Sequence, residues 1–189
     1  MNHSKPNTQN LKFSYSSLIL HPSSFVYAAM VDSFYRRFAV KLFCFHMPEI
    51  INQQRKIKIE TDAFQKFAER AVGVISEAKG KDLTIAFVSD RRIRELNKIF
   101  RDKNRPTDVL SFPYEPDQYD YLETEKFLGD IVISVEQAAR QAGENNLTLE
   151  NEIKQLILHG ILHLCGYDHE SDGGEMNRLE LKLRRKLKV

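Results

Sequence analysis

The stretch Leu156-Ile157-Leu158-His159-Gly160-Ile161-Leu162-His163-Leu164-Cys165-Gly166-Tyr167-Asp168-His169 decides the reading of this chain. His159 and His163 stand four positions apart, which on an α-helix puts both imidazoles on one face, a turn apart, within reach of a single cation. Gly166 can adopt the left-handed conformation that ends a helix, and His169, three residues on, can swing back as a third ligand. Around these positions Ile153, Leu156, Ile157, Leu158, Ile161, Leu162 and Leu164 make the helix apolar nearly all round. Such a helix belongs in an interior, where an unpaired polar ring costs roughly a few kcal/mol. A lone histidine in that setting is more often a hydrogen-bonded core residue. Here, however, every histidine after His46 falls within this one stretch. Three neutral imidazoles with one vacant position is the donor set of a catalytic zinc, whereas a closed structural site takes a fourth protein ligand. The expected cofactor is one Zn2+ per chain, on His159, His163 and His169.

The same spacing, His-x3-His-x2-Gly-x2-His, occurs in the metzincin metalloproteases. Those enzymes carry a glutamate directly after the first histidine as general base, and this chain has Gly160 there. A glycine cannot take a proton from water. Either a metal alone lowers the pKa of its water to about 7, or the substrate brings its own nucleophile, as RNA does in the 2′-hydroxyl beside each phosphate. Ribonucleolysis therefore suits the site better than proteolysis. Cys165 follows His163 by two residues and so points to another face of the helix, which makes it an inert thiol rather than a fourth ligand.

Outward from the histidines, Thr148 caps the start of their helix, and Glu175 to Leu187 repeats apolar positions at helical spacing in a last, basic helix. Ser134 followed by Gln137 fits a capping box that opens a helix through Ala142. Leu83–Val88, Asp108–Phe112 and Ile131–Ile133 read as strands, and Ser89 or Asp90 caps a helix through Phe100. Thr61 to Lys79 is helical by the spacing of Phe64, Phe67, Ala68, Ala71, Val72 and Ile75, ending before Gly80. Arg55–Glu60 alternates basic and apolar residues as a half-buried strand does. A polar, acidic loop spans Tyr114 to Lys126. The expected fold is α+β: a small mixed four-stranded sheet packed with about five helices, its zinc site on a helix of the C-terminal half and the turn that follows.

The 189 residues carry 28 basic and 26 acidic side chains. Met1 to His46 holds Lys5, Lys12, Arg36, Arg37 and Lys41 against Asp32, a surplus of +4, which leaves 23 basic and 25 acidic residues from Met47 onward. The body is thus not basic overall, and a nucleic acid would have to be held by local patches. The first 46 residues show no period of 2 or 3.6. His21 and Pro22 interrupt the apolar bits that a secretory signal would need. They read as an extension, disordered or a mis-assigned start with Met47 as the functional first residue, before a single domain over 47–189. Cys44 and Cys165 sit too far apart in unlike surroundings for a disulfide framework. No apolar run reaches the length of a membrane span, so a cytoplasmic protein without a membrane partner is expected.

His159-Gly160-Ile161-Leu162-His163-Leu164-Cys165-Gly166-Tyr167-Asp168-His169 resembles the signature H-G-x-L-H-L-x-G-Y-D-H of the YbeY-type metal-dependent endoribonucleases. The run Leu96 to Pro113, with Arg101-Asp102-Lys103-Asn104-Arg105-Pro106-Thr107-Asp108 at its centre, resembles a second block of that family, and Leu128-Gly129-Asp130-Ile131 a third. The resemblance spans about Ile50 to Leu187. It implies a zinc held by the three histidines and catalysis by them together with an arginine at the place of Arg101. It also implies single-strand-specific cleavage of ribosomal RNA, in 16S rRNA 3′-end processing and ribosome quality control, with the small ribosomal subunit as partner.

By itself Arg101 would be a solvated loop charge, as most arginines are. On the resemblance it grips the scissile phosphate in two-point contact and stabilises charge that grows in the transition state. Arg91, Arg92 and Arg94, and the basic residues of the last helix, are candidates for further phosphate contacts, though charged helix faces are usually only solvated. Asp130 is either an acceptor behind a ligand or simply a turn residue at a strand end, and Asp168, beside a ligand, is a candidate for a carboxylate that orients an imidazole. Two other functions compete with ribonuclease: a zinc metallopeptidase, and a non-catalytic ribosome-assembly factor with a structural zinc.

Overall fold

A computed structural model describes residues 48–114, 126–169 and 172–189. Its elements run β1 (Glu49–Asn52), α1 (Thr61–Val74), β2 (Asp82–Val88), α2 (Asp90–Arg101), β3 (Val109–Pro113), β4 (Phe127–Ser134), α3 (Val135–Glu144), α4 (Leu149–Leu164) and α5 (Glu175–Leu187). The strands form one sheet in the order β1-β2-β4-β3. β1, β2 and β4 run parallel, and β3 pairs antiparallel with β4, Val109 opposite Ile133 and Phe112 opposite Asp130. This is the small mixed four-stranded sheet with five helices that the sequence leads one to expect.

The helix starts follow from single side chains. Ser89 accepts from the backbone N–H of Arg92, Ser134 from that of Gln137 and Thr148 from that of Asn151, each satisfying an amide that the first turn leaves open. The Ser134 N–H itself goes to the carbonyl of Asp108, so that cap also ties the end of β4 to the start of β3. Gly166, at φ +89°, turns the chain out of α4 as its position in the sequence requires.

One strand is misplaced by sequence reasoning. Arg55–Glu60 alternates like a strand, yet the first strand is β1, six residues earlier, and 55–60 is irregular. The reason is Gln54. Its buried side chain folds over the following backbone, accepting from the N–H groups of Lys56 and Ile57 and donating to the Ile57 carbonyl at 2.8 Å. Those groups are no longer available to a sheet ladder. Likewise α1 stops at Val74, because Ile75 leaves the helical region at φ −94°, ψ 118°, and a turn through Gly80 completes the connection. Most of the acidic loop over 114–126 lies outside the described residues, as do the first 47 residues and Cys44.

The alternation of strand side chains builds two cores, one on each face of the sheet. Leu83, Ile85 and Phe87 of β2 and Ile131 and Ile133 of β4 pack with α1, α3, α4 and α5. Ala86, Val88, Leu110 and Val132 point the other way, onto Ile93 and Leu96 of α2. α4 is the hub of the larger core, lying on β3 and β4 with α1, α3 and α5 against it.

Candidate metal centre

The approach of α4 to the sheet is set at Gly160. A Cβ built there would stand 2.8 Å from Cγ2 of Ile131, itself fully buried in β4. The position that would carry the base of a metzincin is therefore a packing glycine with no room for a side chain. The helix sits close against β4 at this point, and His159 and His163, to either side of Gly160 in sequence, are only partly covered.

The histidines converge. Nε2 of His159 lies 3.1 Å from Nε2 of His163. The ring of His169, brought back by the turn at Gly166, has its centroid 5.5 Å from that of His159 and 5.4 Å from that of His163. One ring nitrogen from each of the three falls within a mutual distance of 4.8 Å. His169 is exposed, so the group opens to solvent on its side.

The outer nitrogens decide what the inner ones are. Nδ1 of His159 lies 3.1 Å from Oε2 of Glu180 on α5, and the His163 ring hydrogen-bonds to the backbone of Tyr167 in the turn. Hydrogens placed on the outer nitrogens, toward Glu180 and Tyr167, would leave both facing Nε2 atoms presenting lone pairs at 3.1 Å. Two acceptors at that distance repel unless a cation lies between them. A proton could serve only by charging a ring. Burial, reinforced by the neighbouring His159 and His169, holds His163 below the ordinary histidine pKa, which keeps it in the neutral form that metals require. The donor set thus fits a metal ion, and among the described residues it has three protein ligands and no fourth.

Supporting contacts hold the turn and α5 in place. The Tyr167 hydroxyl donates to Glu77 after α1 at 3.1 Å. Asp172 accepts from the N–H groups of Gly174 and Met176, both at 2.7 Å, and so starts α5. The carboxyl of Asp172 is held below its usual range, first by the Met176 bond. Cys165 is a free thiol outside the three-nitrogen group, and burial pushes its pKa up to about 11. That agrees with an inert side chain.

Arg101 is the last residue of α2 and is exposed. The contacts of the three rings do not include it, and α2 lies on the opposite face of the sheet from α4. Both helices reach β3, the edge strand. Asp130 is buried, but it follows the face of Val132, toward α2 and away from the histidines. Gly129 before it is fixed by its backbone, with φ +134° and the Phe112 carbonyl where a Cβ would stand. Asp168 is exposed in the turn, where its charge favours the protonated form of His163.

Glu180 is the carboxylate that sequence reasoning missed. The signal was present in α5: Met176, Glu180, Leu183 and Leu187 form its buried stripe, and an acidic residue at an apolar position of a helical repeat calls for a buried partner. Burial alone would raise its pKa. Hydrogen bonds from His159 and Arg184 outweigh that and hold it below the usual carboxylate range.

Comparison with known proteins returns one family over nearly all of the described chain. The family model for Endoribonuclease YbeY matches residues 49–188. The Endoribonuclease YbeY of Aquifex aeolicus is 44% identical over 126 residues, 67% of this chain and 81% of that protein. That of Thermodesulfovibrio yellowstonii is 37% identical over 160 residues, 74% of this chain and 96% of that protein. Among solved structures, the solution structure of TM1509 from Thermotoga maritima is similar with a TM-score of 0.51 at 30% identity, covering 75% of this chain and 89% of that one.

Proposed function

Because the chain belongs to the YbeY endoribonuclease family, we propose that it is a zinc-dependent endoribonuclease that cleaves single-stranded segments of ribosomal RNA precursors. Its place is at the 3′ end of 16S rRNA and in ribosome quality control, in the cytoplasm, with the small subunit as partner. The observation that carries the chemistry is the convergence of His159, His163 and His169 beside Gly160, a position that has no room for the base a metzincin carries there. The three histidines hold the ion. When bound, it supplies a Lewis acid that polarises a phosphoryl oxygen.

The remaining chemistry falls to the chain and to the substrate. With Gly160 packed on Ile131, no base stands at that place. The nucleophile is then either a water whose pKa the bound ion would lower, hydrolysing the phosphodiester directly, or the 2′-hydroxyl beside the scissile phosphate. In the second case the hydroxyl oxygen would bond to phosphorus as the bond to the 5′-oxygen breaks, and that oxygen leaves with a proton. The exposed guanidinium of Arg101 contributes two-point contact to a phosphate and takes up charge as the transition state forms. A flexible single strand passing round the edge strand β3 can meet both α2 and the histidine turn, which a rigid duplex does less readily. The domain that does this is residues 47–189, with 1–46 as an extension outside it.

The test is turnover of a labelled single-stranded RNA against turnover of casein, each with and without chelator. Multiple rounds of chelator-sensitive RNA cleavage with intact casein are expected. Casein digestion would establish a peptidase instead, and stoichiometric RNA binding without cleavage would establish an assembly factor.

A further inference from the structure

We infer that Glu180 is a positioning residue, which fixes the tautomer of His159 so that its Nε2 faces the metal position as a bare lone pair. The inference rests on the reading of His159, His163 and His169 as metal ligands. Its ground is geometric. Glu180 comes from a different helix, twenty-one residues further along the chain, and is 6% exposed in the stripe that docks α5 against the core. One carboxylate oxygen, Oε2, meets Nδ1 of His159 at 3.1 Å. The other, Oε1, is held by the guanidinium of Arg184, one turn further along α5, with Nε at 3.1 Å. Paired in this way the carboxylate accepts only, so the hydrogen of the His159 ring must sit on Nδ1.

A glutamate at a buried apolar position is a poor choice for stability, since a leucine there would fill the stripe without a desolvation penalty. Its presence there is explained by what it does to the ring. In water a neutral histidine side chain favours hydrogen on Nε2, the wrong atom for this site. Glu180 reverses the preference and also fixes the ring plane before any ion arrives, so less ordering is left for the binding step. The backbone of Tyr167 does the corresponding work for His163. His169 is exposed, and its ring lies against those of His159 and His163. Two ligands are thus set in advance on α4, and the third closes from the turn.

The experiment uses the full chain, freed of metal and labelled with nitrogen-15 at histidine, as wild type, Glu180→Gln and Glu180→Leu. Two-bond proton–nitrogen correlation spectra of the neutral rings report which nitrogen of His159 carries hydrogen. The expected result is hydrogen on Nδ1 in the wild type and in Glu180→Gln, which keeps an acceptor oxygen, and a shift toward Nε2–H in Glu180→Leu. Zinc affinity, read by competition with a chromophoric chelator, should fall roughly 10–100-fold in Glu180→Leu and less in Glu180→Gln. A wild-type His159 with its hydrogen on Nε2 overturns the inference without recourse to any variant. So does a Glu180→Leu protein with the wild-type tautomer and unchanged zinc affinity. A wild-type chain that takes up no zinc refutes the ligand reading instead, and the tautomer spectra, recorded without metal, still decide the role of Glu180.

Discussion

α4 and α2 lie on opposite faces of one sheet and carry the side chains proposed to hold metal and phosphate in opposite ways. α4 is buried nearly all round, anchored by Gly160 against Ile131, and its histidines have committed partners in Glu180 and Tyr167. α2 buries only Ile93, Leu96 and Asn97 and turns Arg91, Arg94, Lys98 and Arg101 outward. Binding an ion demands nitrogens fixed to a fraction of an ångström, so those side chains are held by packing and hydrogen bonds. Gripping a phosphodiester demands reach and charge, which exposed arginines provide. Changes around the α4 histidines should therefore act through geometry and stability, and changes to the exposed arginines of α2, on the proposed reading, through cleavage with the fold intact.

The largest separation of the two is expected from Arg101→Ala. It should lose RNA cleavage by about 100-fold or more, as for removal of one charge-stabilising donor, while zinc content and melting temperature stay at wild-type values. Surviving activity in a cleavage assay would reduce Arg101 to a surface charge. Next in size is Gly160→Ala, whose added methyl has nowhere to go but into Ile131. Overpacking of this kind costs about 1–3 kcal/mol, partly offset by the roughly 1 kcal/mol that alanine gains over glycine within a helix. Chemical denaturation should show a net loss of stability and zinc titration a weakened site. A variant as stable as the wild type would show that α4 does not approach β4 so closely.

A smaller and pH-dependent effect belongs to Asp172, which starts α5 and so helps to present Glu180. Its pKa is lowered in the folded chain, chiefly by the bond from Met176. The stabilisation is therefore complete above the ordinary aspartate value of 3.8 and fades as pH falls through the depressed value. Melting curves of wild type and Asp172→Ala should differ most near neutrality and draw together in acid; a gap that stays constant with pH would remove the carboxylate from the account. The smallest effect is expected from deleting residues 1–46. The chain from Met47 should fold, bind zinc and cleave RNA like the whole, with weaker polyanion binding only at low salt. An insoluble product, or one inactive at high and low salt, would put those residues inside the domain.

How much of this was legible beforehand follows the same division. The histidine spacing, the glycine that ends α4 and the three hydroxyl caps are local signals, and each is realised where local chemistry puts it. The strand expected at Arg55–Glu60 fails because alternation reports only a preference for two faces. It is blind to Gln54, whose amide satisfies the same backbone groups from within the chain. Gly160 was legible as the lack of a base but not as a contact, since Ile131 lies on a strand far off in sequence. Glu180 went unread for a related reason. Its helix was recognised by its apolar stripe, and the one charged member of that stripe has meaning only once α5 is docked on α4.

The central claim is that His159, His163 and His169 hold a metal on which cleavage depends. Its most direct test measures zinc by atomic emission and cleavage of single-stranded RNA on the same samples, for the wild type as isolated, after chelation and after zinc is restored, and for His163→Ala. One zinc per chain, with activity that disappears on chelation, returns with zinc and is absent together with the metal in His163→Ala, is the predicted result. Undiminished cleavage by the metal-free wild type, or a full zinc complement in His163→Ala, would contradict it.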